Sequence, residues 1–323
     1  MCTALTFCTK DHYFGRTLDL EYHYDERVVI TPRAFPLPFR KMGVMQRHYA
    51  MIGMATVVDG YPLYYDATNE QGLSMAGLNF PGNAFYPEEV QGKDNIAPFE
   101  FIPWVLGQCE TVKQVKKLLQ CINLVHEDFA KEMPLSPLHW MIADKHECIV
   151  VESMTDGLHV YDNDVGVMTN NPPFPMQRMN LNNYMNLSSE PAVNHFAAGV
   201  EMEMYSRGMG AMGLPGDWSS ASRFVRAAFV RGNSVCGESE GESVSQFFHI
   251  LGAVEHPRGV VRLHGGEEIT VYTSCCNADK GIYYYTTYEN RRITGVDMHR
   301  ENLEENGLIG YPVRKDMCIT MEK

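Results

Sequence analysis

A cysteine stands at position 2, directly behind Met1. Its small side chain permits trimming of the methionine, which would give one residue both a thiol and a free α-amine. An unperturbed α-amine titrates at about 7.7–8.0, so an N-terminal cysteine carries its own base and needs no separate histidine. Arg16 and Asp19 lie close enough in sequence to join it. A fixed cation at Arg16 favours a thiolate, and a carboxylate at Asp19 can hold and orient the amine. Equally, the two can form an ordinary ion pair beside an inert thiol. Asn79 and Asn170 each end a strand-like stretch. An asparagine amide there can donate to a developing oxyanion, a role worth roughly 3–4 kcal/mol, or it can simply close a turn. Arg223 offers a further cation or a surface arginine on a helix.

Other chemistries find less support. The nine cysteines include no C-x-x-C pair, and their spacing to histidine gives no zinc template. An odd count without a visible secretory signal suggests reduced thiols. Cys275 and Cys276 should point to opposite faces of a strand. No H-E-x-x-H occurs, and His139 and His249 lie in apolar stretches that a core would absorb. The net charge of −13 argues against nucleic acid, and an anionic substrate would need local arginines. No apolar run nears the ~18 residues that span a membrane, so a cytoplasmic location without membrane insertion is expected.

The elements that must position these residues are strands at both ends and two helical clusters. Residues 3–8 and 13–20 alternate around a turn at 10–12, a hairpin that sets Cys2 beside Arg16 and Asp19. Further strands are expected at 27–31, 49–58, 64–68, 73–80, 138–143, 148–152, 158–161, 166–169, 269–274, 282–288 and 293–296. Gly72 supplies a left-handed turn position between two of them. Helices are expected at 99–109, at 112–122 with a capping box of Thr111 and Gln114, at 221–230 behind Ser219 or Ser220, and at 243–254. Prolines at 172–175 break the pattern. The glycine-rich stretch 208–216 lacks the features of a phosphate loop. With 323 residues, 45% hydrophobic, and no linker, the interleaved pattern suits one domain of two packed sheets with helices outside.

Several segments resemble the choloylglycine hydrolase family in order along the chain: MCTALTF at 1–7, YFGRTLD at 13–19, NEQGLSMAGLNF at 69–80, LHWMIAD at 138–144, TNNP at 169–172, GLPGD at 213–217 followed by Ser222-Arg223-Phe224, YTSCC at 272–276 and GIYYY at 281–285. The resemblance runs from Met1 to about Val313. It implies an α+β, four-layer αββα sandwich, the N-terminal nucleophile hydrolase fold, as a single domain over 1–323 that loses Met1. By position it implies Cys2 as nucleophile, Arg16 and Asp19 as its neighbours, Asn79 and Asn170 at oxyanion and transition-state positions, and Arg223 as the remaining active-site arginine.

The implied reaction is hydrolysis of the amide joining a bile acid to glycine or taurine, through a thioester and without cofactor or metal. Leu18, Tyr24, Val58, Tyr65, Phe129 and Met133 fall at apolar substrate positions, though each also suits an ordinary core. Residues 184–216 resemble an assembly loop that builds a homotetramer, and Arg207 within it is expected to meet the taurine sulfonate. Alternatives are a penicillin V acylase or related N-acyl amide hydrolase, and a non-catalytic steroid-binding protein. Penicillin V acylases tend to carry Tyr where this chain has Asn79, which favours bile salts.

Overall fold

Two antiparallel sheets stack face to face in a computed structural model that describes residues 1–263 and 265–322. The chain opens with β1 (Cys2–Cys8) and β2 (His12–Leu20), the expected hairpin. Next come β3 (Arg27–Thr31), β4 (Met51–Val58), β5 (Tyr61–Asn69) and β6 (Ser74–Asn79). After helices α1 (Phe101–Leu106) and α2 (Val112–Leu118) come β7 (Leu138–Ala143), β8 (Cys148–Met154), β9 (Gly157–Asp162) and β10 (Val167–Met168). Helices α3 (Phe174–Asn180), α4 (Ser220–Asn233) and α5 (Glu240–Gly252) precede β11 (Ile269–Asn277), β12 (Ile282–Thr287), β13 (Thr294–Asp297) and β14 (Ile309–Pro312).

One sheet has the order β10-β1-β2-β11-β12-β13 and the other β9-β8-β7-β6-β5-β4-β3-β14. Strands β1 and β2 lie across from β6, α4 and α5 cover the six-stranded sheet, and α1 packs on β5 and β6 of the other. The layers therefore run αββα, as the family resemblance implied. Odd positions of β7 such as Met141 and Ala143 enter the core between the sheets, while Trp140 and Ile142 face the outer core under α1 and α2. This period-two division makes β7 apolar on both faces except at His139.

Two backbone features matter for the site. A Cβ on Gly15 would sit 2.0 Å from the Ser274 carbonyl oxygen, so only glycine lets β2 approach β11 this closely. The β2–β11 register slips between Thr270 and Tyr272, opposite Asp19 and Leu18. Such an irregularity re-aims side chains, and here it turns the Thr270 hydroxyl onto Asp19.

Several local expectations are corrected. The prolines at 172–175 do not only break the pattern: Pro173 precedes α3 and Pro175 sits in its first turn, where a missing N–H is harmless. The stretch 112–122 does not stay helical, because α2 ends at Leu118 and Ile122–Leu124 pairs with Asp94–Ile96 as a short parallel ladder. Thr111 caps α2, but Gln114 reaches the Glu110 N–H rather than closing a box. The true capping box is Ser239 with Glu242, which starts α5 earlier than the apolar pattern suggests. Edge strand β14 went unread. Cys275 and Cys276 are both buried and unbridged.

Candidate active site

Cys2 opens an inner strand. It pairs with Leu18 on β2 and is 3% exposed. Around it lie Arg16, Asp19, Asn170 and Arg223, all 6% exposed or less, so five candidate groups share one buried position. Asn170 follows β10, which pairs with β1. Its side-chain oxygen accepts from the Cys2 N–H at 2.8 Å and from Arg223 Nη2 at 2.8 Å, and its amide donates to the Asn79 carbonyl at 2.7 Å. The Asn170 N–H in turn donates to Ser220 Oγ at 2.8 Å. Of the two serines that suited the cap of α4, Ser219 takes that role and Ser220 turns to Asn170.

Arg223 lies on α4 and spends its donors on the Cys2 carbonyl, on Thr3 Oγ1 at 2.7 Å and on the Trp218 carbonyl at 3.0 Å. It is not a surface arginine. Burial lowers its affinity for its proton, against the pull of Asp19, Cys2 and Glu268. Arg16 crosses between the sheets to the carbonyls of Tyr65 and Gly77, with Nη2 left unpartnered. Burial would lower it too, but Cys2, Tyr272, Asp66 and Asp19 outweigh that and raise it above the ordinary arginine range.

Asp19 accepts from Thr270 Oγ1 at 2.6 Å and Thr17 Oγ1 at 3.0 Å. It therefore sits in a hydroxyl cradle rather than in a plain ion pair with Arg16. Met1 bridges β1 to Asp19: the Asp19 N–H donates to the Met1 carbonyl at 2.9 Å, and the terminal ammonium donates to the Asp19 carbonyl and ion-pairs with Glu268 at 3.0 Å. His256 lies 2.9 Å from Glu268, in a contact too poorly aligned to be a hydrogen bond, and 3.9 Å from Asp19, beyond hydrogen-bond reach.

The other buried thiols differ in kind. Burial pushes Cys109 up to about 11, Cys276 to about 12 and Cys275 well above the ordinary thiol range, and among the described residues no arginine is hydrogen-bonded beside them. Among the described residues, only Cys2 has two buried guanidinium groups near it, Arg16 and Arg223. The side chain of Asn79 is exposed and, among the described residues, its amide has no hydrogen-bond partner, which leaves both N–H groups for a ligand.

The apolar candidates divide. Leu18 is the cross-strand partner of Cys2, and the Tyr65 carbonyl binds Arg16. The Tyr65 hydroxyl meets Thr56, whose hydroxyl also donates to the Tyr24 carbonyl, so these three residues form one rim. Phe129 instead stacks edge-on against Phe99 in the outer core, Val58 ends β4 at a hairpin, and Met133 closes a small turn with Ala130. Arg207 is exposed within the 184–216 stretch. Two surface hollows of about 410 and 530 Å³, beside Arg33 and beside Phe174, include none of the catalytic candidates.

Residue reasoning missed Glu268, His256, Thr270, Ser220 and the buried carboxylate of Asp66. Asp66 receives the hydroxyls of Tyr272 at 2.6 Å, Tyr283 at 2.7 Å and Ser274 at 3.1 Å. Its pKa is raised by burial despite these donors and Arg16. No short-range pattern links residues this far apart in the chain. Among the described residues no cluster could hold a metal ion, and no helix is long and apolar enough to cross a membrane.

A strand-borne N-proximal cysteine inside an αββα sandwich defines the class: an N-terminal nucleophile hydrolase. The profile of the linear amide C–N hydrolases, choloylglycine hydrolase family, matches residues 2–311, and the chain belongs to that family. It is therefore a hydrolase of linear amide C–N bonds. The chain is 54% identical to the bile salt hydrolase/transferase of Lactiplantibacillus plantarum, covering 98% of each chain. It superimposes on the C2A mutant of the conjugated bile acid hydrolase from Clostridium perfringens with a TM-score of 0.93 at 39% identity, covering 100% of both. The penicillin V acylase of Agrobacterium tumefaciens shares the fold, with a TM-score of 0.74 at 19% identity over 96% of this chain and 90% of that one.

Proposed function

We propose that this enzyme cleaves the amide bond of glycine- or taurine-conjugated bile acids with Cys2 as nucleophile, as one catalytic unit over 1–323 after loss of Met1. The observation that carries the proposal is the convergence of Arg16, Asp19, Asn170 and Arg223 around the buried Cys2, with Asn170 on its backbone N–H and Arg223 on its carbonyl. The names of the relatives supply the substrate class.

With Met1 gone, the nitrogen that now bonds Asn170 Oδ1 becomes the α-amine. It takes the thiol proton, and the Cys2 sulfur attacks the amide carbonyl. Asn79 donates to the oxyanion. The ammonium then gives its proton to the departing nitrogen, leaving an acyl thioester and free glycine or taurine. Water, with the amine again as base, releases the bile acid and restores the thiol. No cofactor enters these steps. Leu18, Tyr24 and Tyr65 border the acyl group in this reading, with Val58, Phe129 and Met133 further out. Arg207 meets the sulfonate once the 184–216 stretch settles against the site. That stretch joins subunits into a homotetramer in the cytoplasm.

Purified wild type and Cys2→Ala, each incubated with glycocholate, taurocholate and penicillin V, test the reading. Amine release from the bile salts by wild type alone is expected, and Arg207→Ala should alter the ratio of kcat/KM between the two conjugates. Release from penicillin V but from neither bile salt would transfer the substrate assignment to N-acyl penicillins.

A further inference from the structure

His139 on β7 and Glu152 on β8 are 1% and 0% exposed, and the chemistry described above uses neither. His139 Nδ1 lies 3.0 Å from Glu152 Oε1, and Nε2 lies 2.8 Å from the Thr169 carbonyl oxygen. A carbonyl oxygen only accepts, and Glu152 Oε1 already accepts from the Phe174 N–H at 3.0 Å. Both ring nitrogens thus face acceptors, which suits a proton on each nitrogen beside a carboxylate.

The contacts fall at the two ends of one short segment. Thr169 precedes Asn170, and Phe174 begins α3 a few residues later. His139 holds the carbonyl at the near end, and Glu152 holds the N–H at the far end. The Phe80 ring lies flat on His139, with centroids 4.2 Å apart and planes 5° apart, and Phe80 directly follows Asn79. A cationic ring against an aromatic face is attractive and fixes the orientation of both. One buried pair therefore touches the supports of both asparagines, which are themselves joined by the Asn170–Asn79 bond.

We propose that the His139–Glu152 pair is the positioning device that sets Asn170 and Asn79 against Cys2. This rests on the reading of Cys2 as nucleophile and of the asparagines as its amide donors. A buried ion pair adds little net stability relative to well-packed apolar side chains, so its value here is geometric. Loss of either charge frees the 169–174 segment and the Phe80 ring to shift. A misplacement of about 1 Å can cost about 100-fold in rate.

The test uses the processed enzyme and three variants: His139→Gln, Glu152→Gln, and the apolar double variant His139→Leu/Glu152→Met. Glu152→Gln keeps an acceptor for the Phe174 N–H, and His139→Gln keeps one donor. All folded variants should lose at least about tenfold in kcat on glycocholate, with KM within about twofold, as expected when an interaction made only in the transition state is lost. Alkylation of Cys2 by iodoacetamide should fall far less than kcat, because it needs no oxyanion donor, although Asn170 also meets the Cys2 nitrogen and Arg223. The apolar pair should restore the melting temperature lost in the single variants but not kcat.

Wild-type kcat in a folded variant overturns the proposal, as does a fall in alkylation that parallels the fall in kcat. Where the single variants do not fold, ring ¹⁵N shifts of wild type at pH 7, assigned by the resonance missing from the double variant, decide instead. Two protonated nitrogens are expected at His139, and one bare nitrogen overturns it. Activity surviving in Cys2→Ala would overturn the reading of the whole site and the positioning role with it. Unchanged kcat in variants of a Cys2-dependent enzyme removes the positioning role alone.

Discussion

In the proposed donor pair, the Asn79 amide is free and the Asn170 amide is tethered. Asn170 is committed on both faces of its amide, to Cys2 N, Arg223 and the Asn79 carbonyl. Asn79 keeps its amide available. Asn79→Ala should therefore lower kcat by about 10²–10³ with little change in KM, since an oxyanion donor acts on the transition state. Steady-state kinetics on glycocholate check this, and a loss expressed mainly in KM would assign Asn79 to ground-state binding. The six catalytic candidates were named through the family resemblance, because a lone cysteine, a strand-end asparagine or a helical arginine suits a structural role equally well. Asp66, Glu268 and His256 were not, because each matters only through partners that the fold brings across the two sheets. His139 was read as a core histidine, and buried it is. What its neighbours do could not be seen from an apolar stretch.

At the scale of elements, the β1–β2 hairpin is both the frame of the site and a source of acid sensitivity. His12 opens β2, is 1% exposed, shares a hydrogen bond with Thr6 Oγ1 at 2.7 Å and has Nδ1 unpartnered. Burial drives its pKa down to about 4. The unfolded chain therefore takes up this proton first as pH falls below about 6.5. Stability is full above that value and is lost between about 6.5 and 4, by up to about 3 kcal/mol at about 1.4 kcal/mol per unit. Urea unfolding of wild type and His12→Gln at pH 7, 5.5 and 4.5 should show wild type losing more on acidification. Parallel losses would place the sensitivity elsewhere. The hairpins were readable from alternation, and β7 from its apolar run. Helix α3 was not, because a proline that stops one element can also start the next, and β14 was not, because four residues with a glycine and a proline carry no strand signature.

Over the whole molecule, several of the most exposed apolar side chains fall in one stretch. Met185, Phe196 and Tyr205 are 80%, 78% and 82% exposed, all within 184–216. Exposed apolar side chains in this stretch suit the subunit contacts of the proposed homotetramer. Phe196→Asp with Tyr205→Asp should convert the expected tetramer to smaller species in light scattering at micromolar concentration. An unchanged mass would place the subunit contacts elsewhere. The layer order followed from interleaved strands and paired helices, whereas the association of copies has no periodic trace in a chain.

The placement of β1 also bears on how the enzyme can be handled. Its first residue is hydrogen-bonded inside a sheet, with Leu18 on one side, Asn170 on the other and Met1 already pressed onto Asp19. A purification handle fused ahead of Cys2 would have to thread out past Glu268 and would leave the amine acylated. The opposite end, from Lys315 to Glu322, lies exposed on the surface. Affinity tags, fluorophores and surface tethers for an immobilised catalyst therefore belong at the carboxyl terminus.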